Sequence, residues 1–339
     1  MKHLLAIAGL GVVAASMALP AQSQSVAEFY AGKTLSFGVG YPSGGFDTYT
    51  RAAARYMGKH IPGNPNVIVI NMPGASSFNY VRHLHGRAPK DGTQFGMFDR
   101  GLIVKSVLDP KTTNVDFREF AWIGSMNREV SACFVGDAKG INTVQEVIGY
   151  KGDVILAGTS KNGGGYVYTS LLQRMSPKNV KQVFGYESAS QMVLATERGE
   201  IDGTCFIFGT LKINYPDLLE QKKLRMIVQY AETRSPDLPD VQTAYELARS
   251  EDEKRVINFL TSVDTIGRPI IAPLGIPAER VEALRKAFME TMKDPEFLAM
   301  TAKAKMDIDP IDGEEAAKIV TQIVTTPTKV VDLARVILE

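Results

Sequence analysis

Two glycine-containing turns hold the residues of this sequence that could bind a small anion. The first is Tyr41-Pro-Ser-Gly-Gly-Phe-Asp47, and the second is Asn71-Met-Pro-Gly-Ala-Ser-Ser77. Each turn follows an apolar, strand-like run and precedes a run with helical spacing. A glycine turn that opens a helix presents backbone N–H groups without partners at the positive end of the helix dipole. Because such groups bind anions, the two turns indicate a seat for a small acidic molecule.

Two further glycine- or serine-rich turns, each before a helix-like run, occur in the second half of the chain. One is Gly158-Thr-Ser-Lys-Asn-Gly-Gly-Gly165, and the other is Glu187-Ser-Ala-Ser190, where Ser188 or Ser190 is a candidate helix cap. A single such turn has a purely steric explanation, because tight strand-to-helix turns need glycine. Four turns in two halves favour a cleft that binds an acid.

For each of four side chains beside these turns, the sequence leaves two alternative roles open. Asp47 either contacts the ligand or stabilises its own helix by pairing with Arg51 four residues later. Asp202 is either a cleft residue or a local turn acid. Tyr41 and Tyr186 end strands, so their rings either line the cleft or pack in the core.

The sequence lacks the common catalytic motifs. Gly38-Val-Gly40 begins like a dinucleotide fingerprint, but Ser43 stands where the third glycine is needed. There is no G-x-S-x-G, Walker or H-E-x-x-H motif. Beyond the first residues the histidines are His60, His83 and His85, of which the last two point to different helix faces. We therefore expect no catalytic residue, no metal and no cofactor.

The amino terminus predicts export. Lys2 and His3 precede an apolar run that ends near Leu19, and Ala21-Gln-Ser23 offers small residues for cleavage. The run is shorter than the roughly 20 residues of a spanning helix, which favours a cleaved signal peptide at residues 1–23 over a retained anchor. We therefore expect a periplasmic protein without direct membrane insertion.

The charge balance argues against nucleic acid as a partner. The chain has 38 Lys and Arg against 37 Asp and Glu, and Lys2 is the only one of these in the predicted signal peptide. The exported chain is formally neutral, without a basic excess for nucleic acid or anionic lipid. Cys133 and Cys205 both lie in apolar runs, which leaves a disulfide and two buried thiols equally open.

Strand-like and helix-like runs alternate, which predicts an α/β fold. The roughly 315 residues after the leader suit two domains. We place the crossings near Phe120–Gly124 and Leu224–Tyr230. This gives a discontinuous first domain, residues 24–124 plus 231–339, and an inserted second domain, residues 125–230. The last third of the chain is expected to be mostly helical.

A series of short motifs, in this order, resembles the receptor family of the tripartite tricarboxylate transporters, the Bug-type extracytoplasmic binding proteins. The resemblance covers nearly the whole exported chain. It rests on Phe29-Tyr-Ala-Gly-Lys33, Pro42–Asp47 with Arg51, Asn71-Met-Pro-Gly-Ala75, Ala88-Pro-Lys-Asp-Gly92, Trp122-Ile-Gly124, Gly185-Tyr186, Arg198-Gly-Glu-Ile-Asp-Gly203, Leu238-Pro-Asp-Val241 and Pro273-Leu-Gly-Ile-Pro277. The first turn departs from the common family pattern, because Phe46 alone separates Gly45 from Asp47.

This resemblance implies a two-domain periplasmic-binding-protein (flytrap) fold, each domain a mixed sheet flanked by helices. It implies capture of a small organic acid and its delivery to separate permease subunits in the membrane. A carrier of this kind is most simply a monomer. The ligand residues it implies are Tyr41, Ser43, Gly44, Gly45, Asp47, Ala75, Ser76 and Ser77 in the first domain, and Thr159, Ser160, Tyr186 and Asp202 in the second. A side chain at Gly45 is expected to fill the anion seat and spare the fold. The alternative functions are a binding component of a membrane sensor and, with less support, an exported enzyme.

Overall fold

The computed structural model describes residues 24–176 and 179–338, so the predicted signal peptide lies outside the described residues. The strands are β1 Thr34–Val39, β2 Asn66–Asn71, β3 Gln94–Met97, β4 Phe120–Ser125, β5 Ser131–Gly136, β6 Val154–Gly158, β7 Val180–Phe184, β8 Gly203–Ile207, β9 Leu224–Tyr230, β10 Pro269–Pro273 and β11 Ile311–Asp312. The helices are α1 Val26–Tyr30, α2 Gly45–Met57, α3 Phe78–Gly86, α4 Gly101–Leu108, α5 Pro110–Thr113, α6 Val144–Gly149, α7 Gly164–Met175, α8 Ala189–Glu197, α9 Phe208–Asn214, α10 Pro216–Glu220, α11 Glu251–Thr261, α12 Ala278–Lys293, α13 Pro295–Lys303, α14 Gly313–Val324 and α15 Thr328–Leu338. Over these two described ranges, no helix combines the length and the apolarity needed to cross a bilayer.

The strands form two separate mixed sheets. The first has six strands in the order β11-β4-β10-β3-β1-β2, with β1 parallel to β2 and β3 and with β10 antiparallel to β3 and β4. The second has five strands in the order β7-β6-β8-β5-β9, with β6 parallel to β7 and β8. Helices flank both sheets, which confirms the predicted α/β class. We call each sheet with its helices the first lobe and the second lobe.

The chain crosses between the lobes twice. It leaves the first sheet after β4, builds the whole second sheet from β5 to β9, and returns to the first sheet at β10. Helix α15 lies against both lobes: Arg335 Nε donates to the carbonyl of Leu108, the last residue of α4, and the Tyr166 hydroxyl of α7 donates to the Leu338 carbonyl.

Strand β10 is central in the first sheet, although it lies in the last third of the chain, which was expected to be mostly helical. Ile270, Ile271 and Ala272 are completely buried. A strand covered on both faces has a continuous apolar run instead of an alternating pattern, and so carries no strand periodicity. Proline at its first and last positions, Pro269 and Pro273, further obscured it within a helix-rich third of the chain.

Candidate ligand-binding site

The candidate site lies where parallel strands of the two lobes end. The turns after β1, β2 and β3 gather at one edge of the first sheet, and the turns after β6 and β7 gather at one edge of the second. Ligands of open α/β sheets bind at the carboxyl ends of the strands. The four glycine- or serine-rich turns singled out in the sequence all lie at these two edges.

Between the two edges lies a partly open cavity whose wall is formed by both lobes. The first lobe contributes Tyr41, Ser43, Gly45, Phe46, Asp99 and Arg100 to its wall. The second lobe contributes Gly158, Thr159, Gly164, Gly165, Tyr168, Ala189, Met192, Cys205, Phe206, Ile207 and Thr210. A largely apolar wall with a few convergent polar groups is typical of a small-molecule site.

Two helices begin at the cavity wall on glycine residues. Helix α2 begins at Gly45 after the N-cap Gly44, and helix α7 begins at Gly164 after the N-cap Gly163. Neither helix receives a side-chain cap from its N-cap residue, because glycine has none to give. Their first N–H groups are therefore available to an anion. Helix α8 differs, because the Ser188 side chain caps it.

Hydroxyl groups join the two lobes at the rim of the cavity. Ser76 of the first lobe bonds to Thr159 and, at 2.9 Å between the Oγ atoms, to Ser160 of the second lobe. Ser43 Oγ donates to Ser188 Oγ across the same gap at 3.2 Å. Since each bond connects the first lobe to the second, the structure has the lobes closed on the cavity.

Asp99 is held at the floor of the cavity by two donors. The Tyr41 hydroxyl donates to Asp99 Oδ2 at 2.7 Å, and the Gly101 N–H donates to Oδ1 at 2.8 Å. The Asp99 N–H in turn donates to Ser77 Oγ at 3.1 Å, which ties the turns after β2 and β3 together. Burial, reinforced by the Asp99 charge, raises the pKa of Tyr41 well above its ordinary value, so this phenol stays a hydrogen-bond donor.

Arg100 follows Asp99 and also faces the cavity, yet it is already paired. Its Nε donates to Asp264 Oδ1 at 2.9 Å, and its Nη2 donates to Ser131 Oγ at 2.9 Å. The Tyr168 hydroxyl donates to the same Asp264 oxygen at 2.6 Å. Burial and the Asp264 charge raise the pKa of Tyr168 well above its usual range. Asp264 therefore fixes one cationic and one aromatic side chain of the wall.

A second buried arginine supports the wall from behind. Arg268 is completely buried, its guanidinium lies 4.7 Å from the ring centres of both Phe46 and Tyr49, and its Nη2 lies 3.2 Å from Glu129 Oε1. Nη2 also donates to Thr210 Oγ1 at 3.2 Å, which links the two lobes. Burial lowers the pKa of Arg268 and raises the pKa of Glu129, as expected for a charge pair removed from water.

Cys133 and Cys205 form a disulfide, which resolves the alternative that the sequence left open. The two residues are direct partners on the antiparallel strands β5 and β8, with their Cα atoms 3.9 Å apart. Because Cys205 lies on the cavity wall, the bridge fixes the strand that carries this part of the site.

The predicted site residues fall into three groups. The cavity is lined by Tyr41, Ser43, Gly45 and Thr159. The closing contacts and turns next to it contain Gly44, Ser76, Ser77 and Ser160. The structure does not bring the remaining four to the cavity: Asp47, Ala75, Tyr186 and Asp202.

Each of these four has a different role. Asp47 has a structural role: its carboxylate accepts hydrogen bonds from Arg51 Nε at 2.9 Å and from Asn71 Nδ2 at 2.7 Å. Ala75 is exposed, and Tyr186 packs among apolar side chains of α8 and β6.

Asp202 lies at the end of the second sheet opposite to the cavity. It precedes β8, which runs parallel to β6, so it lies at the amino ends of these strands. There its Oδ2 accepts from Lys139 Nζ and from the Ile155 N–H, both at 2.6 Å. The expectation of a cleft residue is corrected to that of a local structural acid.

Sequence reasoning missed the charged part of the wall. Asp99 and Arg100 end the third strand-to-helix turn of the first lobe, immediately before Gly101 opens α4. The pattern Met97-Phe-Asp-Arg-Gly101 was the available signal. Helix α4 was not predicted, so the turn went unnoticed.

The fold and the cleft define a class: a two-lobed binding protein that closes on a small molecule. The sequence matches, over residues 50–333, the family described as tripartite tricarboxylate transporter family receptor, and the chain belongs to this family. This confirms the resemblance seen in the sequence and makes solute binding the role of the protein.

The chain is also similar to individual proteins of known sequence or structure. A protein of Cupriavidus necator, described as UPF0065 protein in the gbd 5′ region, is 24% identical over 344 residues, which cover 98% of this chain and 97% of the relative. The periplasmic binding protein BugD superposes with a TM-score of 0.72 at 18% identity, covering 91% of this chain and 98% of its own. MatC of Rhodopseudomonas palustris, solved with bound malate, has a TM-score of 0.70 at 17% identity and covers 91% and 99%. R. palustris Rpa4515, solved with adipate, has a TM-score of 0.71 at 17% identity and covers 89% and 97%. These structures share the fold, which confirms the flytrap architecture.

Proposed function

We propose that this protein is an extracytoplasmic receptor that captures a small carboxylate between its lobes and delivers it to the membrane subunits of a tripartite transporter. The observation that carries the proposal is the meeting of α2 and α7 at one cavity. Both helices begin on glycine, without a side-chain cap from Gly44 or Gly163, and both present first-turn N–H groups to the same space. Backbone donors at two helix N-termini bind a carboxylate without any need for a basic side chain.

Closure couples capture to delivery. The bonds of Ser76 to Ser160 and of Ser43 to Ser188 exist only when the lobes are together. A ligand that contacts both lobes stabilises the closed form, and a permease that recognises this form receives only loaded receptors. The two proposed units are residues 24–124 with 231–339 and residues 125–230, in a monomer that acts in the periplasm after loss of residues 1–23.

Two relatives support the choice of a carboxylate. MatC was solved with malate and Rpa4515 with adipate, and both share this fold. We extend that ligand class to this chain on the basis of its own helix N-termini. The receptor needs no chemical step, because capture and release suffice for its role.

The test is a thermal-shift screen of the exported chain, refolded to remove any carried-over ligand. Small acids are compared with their amides, and hits are measured by isothermal titration calorimetry. Binding at 100 times Kd adds about 2.7 kcal/mol to the free energy of unfolding, which gives a measurable shift. A shift with an acid but not with its amide supports the proposal. The proposal fails if folded protein responds to no acid, or if a bound acid is recovered chemically altered.

A further inference from the structure

The cavity contains a carboxylate of its own, that of Asp99. This residue is only 7% exposed and lies on the cavity wall. Its two oxygens accept from the Tyr41 hydroxyl and the Gly101 N–H, both of them neutral donors. Within residues 24–176 and 179–338, no Lys, Arg or His nitrogen lies within 4.0 Å of it. Asp99 is thus a buried acid without a cationic partner in the protein.

The nearby arginines do not fill this role. Arg100 is engaged by Asp264, and Arg268 by Glu129. A buried acid without a counter-ion is costly, whereas one that meets a cation in the bound state gains a charge-assisted hydrogen bond. Each Asp99 oxygen accepts one hydrogen bond here and has capacity for another. The missing partner of Asp99 is therefore expected on the ligand.

Donors for the carboxylate group of the ligand lie on the same wall of the cavity. Arg100 Nη1 makes no hydrogen bond within the part of the chain that the structure describes, while its Nε and Nη2 are both used. Together with the N-terminus of α2, this atom offers donors to a carboxylate, whereas the first residues of α7 lie against the Asp99 oxygens. Adjacent residues of opposite charge, Asp99 and Arg100, thus face one cavity.

We propose that the ligand is a zwitterion, an acid that also carries an ammonium group, with the ammonium bound by Asp99 and the carboxylate by the N-terminus of α2 and Arg100. The proposal rests on the proposed function and narrows its substrate class. A plain di- or tricarboxylate places a second anionic group in a cavity that already contains Asp99, and is repelled by it. The apolar side chains of Phe46, Met192 and Ile207 then surround the remainder of an amino acid.

The first experiment uses the wild-type protein alone and pairs of acids that differ by one ammonium group. The pairs are L-glutamate with glutarate, L-aspartate with succinate, and L-leucine with 4-methylpentanoate, each titrated calorimetrically at pH 7.5. N-acetylated amino acids serve as a third arm, because they keep the carboxylate and lose the cation. We expect the free amino acid of the preferred pair to bind at least about tenfold more tightly than both comparison ligands.

The second experiment uses Asp99→Asn, which keeps the shape and removes the charge. It should weaken binding of the amino acid at least about tenfold and leave its deaminated partner equal or stronger. Asp332→Asn is the charge-matched control, because Asp332 is an exposed residue of α15 paired with Arg335. Its affinities should equal those of the wild type.

The outcomes separate this inference from the proposed function. If the deaminated acids bind as well as the amino acids, the receptor remains a carboxylate receptor and the zwitterion proposal is overturned. An equal loss of both ligands in Asp99→Asn overturns it as well. If neither member of any pair binds while another acid raises the melting temperature in the screen, the zwitterion proposal is overturned and the carboxylate proposal stands. The wild-type comparison decides the matter even if Asp99→Asn does not fold.

Discussion

Gly45 and Thr210 meet across the closed cleft so closely that only glycine fits. A β-carbon on Gly45 would lie 2.3 Å from Thr210 Oγ1 and 2.8 Å from Arg268 Nη2. Gly45 opens α2 in the first lobe, whereas Thr210 belongs to α9 in the second. The contact exists only while the lobes are together. A substitution of Gly45 therefore tests whether closure of the lobes is needed for binding.

We predict that Gly45→Ala weakens ligand binding by at least about tenfold, because the added methyl group holds the lobes apart. This revises the expectation that a side chain at Gly45 acts only by filling the anion seat. Calorimetric titration measures the effect, and Gly86→Ala is the matched control, since a β-carbon there meets nothing within 4 Å. The second change Thr210→Ala should restore part of the affinity. Wild-type binding by Gly45→Ala would refute the steric argument.

Asp202→Asn is predicted to affect stability and not binding. The change removes the charge that pairs with Lys139 and accepts from the Ile155 N–H at the far end of the second sheet. We expect the free energy of unfolding to fall by about 1 kcal/mol in urea denaturation. Ligand affinity, measured under conditions in which the variant is fully folded, should equal that of the wild type. A large loss of affinity would return Asp202 to the cleft.

The contrast between these two positions shows what the sequence could predict. The turns around Gly45 and Ser76 were recognisable because glycine and strand-to-helix punctuation are local signals. Asp202 was misplaced because a local pattern does not say which end of a parallel strand faces the cleft. The pairing of Arg100 with Asp264, 164 residues apart, depends on the fold and has no local signature. The fold class was predictable because the alternation of strand-like and helix-like runs is also a local signal. The charged wall formed by Asp99 and Arg100 was not predictable, because it depends on contacts between residues far apart in the sequence.

Removal of the disulfide is predicted to destabilise the second lobe. The bridge closes a loop with a sequence separation of 72 residues between Cys133 and Cys205. The double variant Cys133→Ala/Cys205→Ala should lose about 2–4 kcal/mol of the free energy of unfolding, measured in urea. A reducing agent should lower the melting temperature of the wild type and leave that of the double variant unchanged. Equal melting temperatures of the wild type with and without reductant would show that the bridge contributes nothing.

Asp294 gives the stability of the first lobe a defined pH dependence. Its carboxylate accepts from Lys59 Nζ at 2.6 Å, from His60 Nε2 at 2.8 Å, and from the Glu296 and Phe297 N–H groups that begin α13. The hydrogen bond from Lys59, opposed by desolvation and aided by the other donors, holds the pKa of Asp294 well below its ordinary value.

A carboxyl group whose folded pKa is lowered stabilises the protein above its unfolded pKa of about 3.9, and this contribution disappears as the pH falls further. Asp294→Asn keeps an N-cap acceptor and removes the charge. We expect it to be less stable than the wild type by about 1 kcal/mol at neutral pH. Below about pH 4 the difference should shrink, because the unfolded wild-type chain takes up a proton there, and it disappears only as the pH falls through the lower folded pKa of Asp294. Urea denaturation of both proteins between pH 7 and pH 3 measures this difference, and a constant difference across the range would mean that the ionised form of Asp294 carries no stability.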